Sequence, residues 1–401
     1  MIAIKNLFIT ILFPPIWSAG YYLISIFKNK NSKDIVSLLF VYSLIIVYSI
    51  QSYDNRLRFR TIMDMGEYSS FFEDHALNWI VYYVKQYIDI SCTIFFFLYS
   101  FLCLLFYYII NKKLHETFSY STVIVILTGI SIKNLYDLNY STFSCVFLLF
   151  CLLCIKMQLL KYIIALIGCY IIHPVGVLLL VFAAPLCFFI SKKQYNNCYL
   201  YISILTFLCF TLFVINNQFD SVGFKFIDYF IEKGNLYLDD DYFWTKKSNL
   251  TTSTLYNLFN MFENLLYLFF LLTTLFTLKK RILPPELSAL IIIATILYFA
   301  TLETVTFNER CGTAIYILGI TALPLWAKNN IFLITKSRVA GLCLFMYFAS
   351  MYFHPLVQEH MFGKNGFPEE VALRKYYMPG VLLLDINDFG MSDEMLKEKM
   401  K

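Results

Sequence analysis

The sequence predicts an all-α fold: a polytopic α-helical integral membrane protein of about 11–12 membrane segments with long outer loops. Three observations predict it. Of the 401 residues, 59% are apolar and only 15% charged, whereas soluble domains carry about 25% charged residues. The apolar residues gather in runs long enough, or nearly so, for a bilayer-spanning helix of about 20 residues. The connectors between the runs sort by charge.

The runs lie near 7–27, 34–51, 90–110, 118–132, 142–155, 159–172, 174–190, 199–216, 259–278, 287–303, 311–327 and 339–354. The first lacks a charged leader and a small-residue cleavage site, so it reads as a retained segment. Phe13-Pro14-Pro15 bends or breaks it, because proline removes a helix hydrogen bond and clashes with the preceding turn. The C-x-x-C of Cys151 and Cys154 sits inside an apolar helix without a second pair, and reads as small core residues.

The short connectors carrying Lys28/Lys30/Lys33, Lys112/Lys113, Lys156/Lys161, Lys192/Lys193, Lys279/Lys280/Arg281 and Lys328/Lys336/Arg338 hold 15 of the 32 lysines and arginines. They contain only three acids, Asp34, Glu116 and Glu286. Short basic loops stay in the cytoplasm. The long segments 52–89, 217–258 and 355–401 then face outward, as do both termini. Residues 1–355 are expected to form one transmembrane bundle, with 356–401 an extracytoplasmic tail ending in a short helix capped by Ser392.

Lys161 and Lys192 both fall on the cytoplasmic side, so residues 159–190 must enter and return. About 14 to 17 residues per arm give about 21–25 Å, short for two crossings. A re-entrant-like pair of short helices is expected, meeting partway through the membrane at Ile172-His173-Pro174. His173 at the bend reads either as a functional group, since ionisable residues at depth are functional by default, or as a structural histidine bonding a carbonyl freed by Pro174.

Two stretches carry chemistry. In the first outer loop Arg56, Arg58 and Arg60 stand just outside a span. Asp64 and Tyr68 follow four apart, on one face if helical, with Glu67 between them and Phe71-Phe72 beyond. Arginines suit a diphosphate, because the guanidinium fork matches phosphate geometry. The carboxylates and rings suit sugars. An interfacial amphipathic helix is the plainer reading. The second stretch is Leu302–Thr313. Glu303, Glu309 and Arg310 stand near one membrane surface, and Arg310 opens a helix of small residues (Gly312, Thr313, Ala314). Its plainer reading is a flanking anchor paired with Glu303 or Glu309.

Lys133–Tyr140 is a short outer loop with a cation, an acid and two tyrosines. The 217–258 loop joins Asp239-Asp240-Asp241 to several aromatics, a composition that suits sugars. Three adjacent aspartates point apart and make no calcium cage. There is no Walker A sequence, no H-E-x-x-H and no G-x-S-x-G. Basic residues are too dispersed for nucleic acid. No metal or cofactor is implied.

The order of these features resembles the EpsG-type family of exopolysaccharide and O-antigen polymerases over roughly residues 35–330. The resemblance rests on Asp64, Tyr68 and Phe72 in the first outer loop, Ile171-Ile172-His173-Pro174, and Arg310-Cys311-Gly312-Thr313. Because Gly66-Glu67 intervenes, either Asp64 or Glu67 is the counterpart of the family's acid. Where many members carry an arginine near residue 141, this chain has Tyr140-Ser141-Thr142, with Lys133 nearby.

The resemblance implies a glycosyltransferase-type polymerase in the bacterial inner (cytoplasmic) membrane. It joins undecaprenyl-diphosphate-linked oligosaccharide repeats on the outer face. Its expected partners are that lipid-linked oligosaccharide, membrane lipid and a chain-length regulator protein. Arg310, with Arg56, Arg58 and Arg60, would take the leaving diphosphate. Asp64, Glu67, Glu303 and Glu309 are the carboxylates for the acceptor hydroxyl. Tyr68, Lys133, Tyr140 and His173 would contact or support substrate. A flippase, a ligase or a sugar acyltransferase would share the lipid-linked partner.

Overall fold

The computed structural model describes residues 2–29, 34–47, 76–87, 92–115, 120–130, 140–218, 254–301, 305–329, 331 and short stretches within 338–345 and 376–383. Every regular element among them is a helix. In order they are α1 (Ile2–Leu12), α2 (Pro15–Asn29), α3 (Asp34–Val47), α4 (Ala76–Tyr87), α5 (Cys92–Leu114), α6 (Tyr120–Thr128), α7 (Tyr140–Cys154), α8 (Gln158–Ile172), α9 (Pro174–Ser191), α10 (Tyr195–Gln218), α11 (Thr254–Thr277), α12 (Pro285–Ala300), α13 (Val305–Lys328) and α14 (Gly380–Leu383). Ile94–Leu114, Pro174–Ser191 and Asn308–Lys328 are long and apolar enough to cross a bilayer. Shorter apolar helices accompany them at Asp34–Val47, Tyr140–Cys154, Leu159–Ile172, Met261–Thr277 and Pro285–Ala300. The chain has the character of a helical membrane protein. The helices fall into two compact units, Met1–Pro174 with Ile334–Lys401, and Val175–Leu333.

In the first unit the run 7–27 is broken, not merely bent, at Phe13-Pro14. Proline at the first position of α2 costs no hydrogen bond there, and α2 turns back along α1. Ser18 Oγ donates to the Ile9 carbonyl (2.9 Å), the Thr10 and Tyr22 hydroxyls share a bond of 2.7 Å, and Tyr22 Oη donates to the Asn6 carbonyl (2.7 Å). The buried Asp34 carboxylate at the head of α3 closes the hairpin, accepting from Asn6 Nδ2 (2.8 Å) and Ser25 Oγ (2.5 Å). Burying a carboxylate is costly unless its oxygens are hydrogen-bonded, and here both are. The hairpin brings the chain start back to the Lys28–Asp34 end. Part of the C-terminal segment also docks here: α14 packs on α1 and α3, with Leu383 buried.

α3 packs on α5 through Phe40, Phe97 and Phe101. α5 packs on α7, and Lys113 Nζ donates to the Leu153 carbonyl, joining their C-terminal ends. α7 and α8 form an antiparallel hairpin. Gly168 permits its close approach, because a Cβ there would lie 2.2 Å from the Phe147 ring. Cys151 is fully buried in α7 and Cys154 is half-buried.

In the second unit α11, α12 and α13 pack on one another, and α10 packs on α12. α12 is apolar all round, as a helix with no solvent face must be, and every residue from Leu287 to Tyr298 is buried. In α13 the buried stretch runs from Cys311 to Leu323. Small residues let helices approach closely within apolar surroundings. Gly312 and Gly319 do this for α13, receiving Tyr267 and Phe270 of α11. One end of the unit collects Lys192, Lys193, Lys279, Lys280 and Arg281. There Arg281 Nη2 donates to the Ile190 and Ser191 carbonyls (2.8 and 2.9 Å), and its Nε to Tyr195 Oη (3.3 Å). One side chain thus satisfies terminal carbonyls of α9 that have no partner within the helix.

Candidate functional site

Arg310 lies near the start of α13. Lys328 closes that helix at the lysine-rich end, eighteen residues or about 27 Å away. α11 and α13 run parallel, with α12 between them in sequence and antiparallel to both. Contacts fix the register. Tyr267 and Tyr298 meet edge to face at 5.0 Å between centroids. Gly312 lies under both rings, and a Cβ there would sit 3.1 Å from Tyr298 Cε2 and 3.3 Å from Tyr267 Oη. The Tyr298 hydroxyl bonds Asn264 Oδ1 (2.7 Å), and its carbonyl accepts from Asn308 Nδ2 (2.8 Å). Thr313 Oγ1 donates to the Glu309 carbonyl (3.0 Å).

The result is a floor of two buried tyrosines and a glycine. One helical turn nearer the free end stand Glu263 and Asn264 on α11, and Asn308, Glu309 and Arg310 on α13. The tyrosines are buried; Glu263, Asn264, Asn308 and Arg310 are half-exposed, and Glu309 is exposed. Glu263, Tyr298, Tyr316 and Glu309 all lie within electrostatic range of Tyr267. Beyond this buried aromatic contact the end of the unit, its mouth, carries a guanidinium and two carboxylates along its rim. Such a rim can hold an anionic group and hydrogen-bond hydroxyls.

The sequence reading named Glu309 and Arg310 and missed Glu263. The signal was available: Glu263 is the one charged residue in α11.

His173 and Tyr140 come together in the first unit. Ser144 Oγ of α7 donates to the His173 carbonyl (2.9 Å), and the His173 N–H donates to the Cys169 carbonyl (2.7 Å). Ser144 is one turn from the start of α7. The bend after α8 therefore lies near the Tyr140 end of α7. α8 retraces most of the length of α7. His173 is buried, 2% exposed.

Tyr140 is fully buried, and its hydroxyl donates to Asn78 Oδ1 of α4 (2.6 Å). It is read from sequence as a substrate contact. Its enclosed ring and its hydroxyl anchor α4, which packs on α8. Part of the first long connector is thus a docked helix. Arg56, Arg58, Arg60, Asp64, Glu67, Tyr68, Lys133 and Glu303 lie outside the described residues, as does the expected helix near Ser392.

No family model, curated protein or solved structure matches the chain.

Proposed function

We propose that this protein is a polymerase of lipid-linked oligosaccharide repeats, acting at the outer face of a bacterial cytoplasmic membrane through about 11–12 membrane segments. The observation that carries the reading is the half-exposed Arg310 beside Glu309, at the mouth of the α12–α13 pair and remote from the lysine-rich loops. Positive loops stay inside, which directs this mouth outward. The resemblance of its motif order to that of the exopolysaccharide and O-antigen polymerases supports the same reading.

In the reaction, an acceptor hydroxyl oxygen attacks the anomeric carbon of the donor glycan. The bond from that carbon to the lipid diphosphate breaks, and its electron pair leaves with the diphosphate. Arg310 stabilises that charge where it develops, as preorganised cations do in a partly dry site. Arg56, Arg58 and Arg60 of the first outer loop are proposed as further diphosphate ligands. A carboxylate among Asp64, Glu67, Glu303 and Glu309 orients the acceptor hydroxyl. His173 supports the α7–α8 hairpin.

The test is a gene deletion in the host, with surface polysaccharide resolved on a gel. The strain is complemented with wild type, Arg310→Ala and Arg310→Lys at matched membrane levels. Deletion should leave lipid carrying a single repeat, and Arg310→Ala should not restore the ladder. Arg310→Lys should restore little of it, because a point charge lacks the bidentate fork. A ladder that persists without the gene overturns the reading. Repeats that never reach the outer face would make the protein a flippase instead.

A further inference from the structure

The geometry points to Glu263 as the carboxylate that receives the proton of the attacking acceptor hydroxyl, an inference that rests on the polymerase reading. Glu263 lies on α11 four residues before Tyr267, hence on the same face one turn nearer the mouth. Glu309 precedes Gly312 and Thr313 by three and four residues on α13. Tyr267 and Gly312 are in contact, with 3.3 Å between Tyr267 Oη and the Cβ position at Gly312. Because the two helices run parallel, Glu263 and Glu309 stand at one level across that contact, and both lie within electrostatic range of Tyr267. The bond from Tyr298 to Asn264, the residue after Glu263, fixes α11 at this level.

The two acids differ in setting. Glu309 is exposed and Glu263 half-buried. Glu263 is the one charged residue of an otherwise uncharged apolar helix. A carboxylate placed there costs stability, and such residues mark function. In the proposed step the acceptor oxygen bonds to the anomeric carbon, its proton passes to a Glu263 carboxylate oxygen, and the lipid diphosphate departs with the electron pair onto Arg310. The carboxylic acid then returns its proton to water.

The experiment uses the complemented deletion strain together with the purified full chain in nanodiscs, probed with undecaprenyl diphosphate. Removing a general base costs about 100-fold or more. Glu263→Gln should therefore lower long-chain polysaccharide by about that factor, while undecaprenyl diphosphate binds as to wild type. Glu263→Asp keeps the charge but shortens the reach, and should recover only part of the activity; Glu309→Gln should retain more activity than Glu263→Gln. A Glu263→Gln protein that makes a wild-type ladder overturns the assignment. If Glu263→Gln does not fold, a Glu263→Asp protein that polymerises at the wild-type rate overturns it equally. In either case an inactive Arg310→Ala that has lost diphosphate binding leaves the polymerase reading standing. A full ladder from Arg310→Ala and Glu263→Gln alike removes both.

Discussion

Tyr22 donates its hydroxyl proton to the carbonyl of Asn6 across 2.7 Å. In one continuous helix, sixteen residues would hold those positions about 24 Å apart. The bond therefore records a reversal of the chain at Phe13-Pro14, which α3 completes when Asn6 and Ser25 close on Asp34.

The reversal fixes where the chain starts. A cysteine introduced near residue 3 and one introduced at Lys28 should react with a membrane-impermeant maleimide from the same side of sealed vesicles. With Lys28 cytoplasmic, that side is the cytoplasm, opposite to the outward-facing chain start expected from the connectors. Labelling of the two from opposite sides would refute the hairpin.

The glycines of α13 should rank by the space beside them. At Gly319 a Cβ would lie 2.1 Å from the fully buried Phe270 ring, which also packs on Trp326. At Gly312 the nearest ring atom would be 3.1 Å away. Overpacking costs about 1–3 kcal/mol or more, so Gly319→Ala should lower the melting temperature in detergent clearly. Gly312→Ala should lower it less, but should disturb the floor beneath Arg310. Equal melting of the two variants would mean that Phe270 moves aside freely.

Tyr140 and Asn78 should behave as a pair. Tyr140→Phe leaves Asn78 Oδ1 buried without its 2.6 Å partner, a loss of about 1–3 kcal/mol. Asn78→Ala should cost less on that background than on wild type, the signature of contact in a double-mutant cycle. Strictly additive losses would show that α4 docks without this bond. A Tyr140→Phe protein of unchanged stability and reduced substrate affinity would return Tyr140 to the binding surface.

The helices were legible from sequence because their cause is local. Apolar run length and flanking lysines gave α5, α8, α9, α12 and α13 nearly as they stand. Pro14-Pro15 announced a break and His173-Pro174 another. The residues around a break do not state the angle it takes. That angle was settled by partners distant in sequence: Asn6 and Ser25 for Asp34, Ser144 for the His173 carbonyl, Asn78 for Tyr140.

The candidate site divides in the same way. Arg310 and Glu309 stood out because charges beside an apolar helix are rare and costly. Glu263, alone in its helix, offered the same signal but nothing nearby in sequence to pair it with. Its neighbours Glu309 and Gly312 lie more than forty residues onward. By itself the sequence determined helical content, apolar character and the charge asymmetry of the connectors, since each follows from residue type and near neighbours. The tertiary structure alone decided that the first run doubles back, that α8 retraces α7, and that α11 and α13 run parallel. Those outcomes depend on which buried polar groups find partners and where a glycine lets two helices touch.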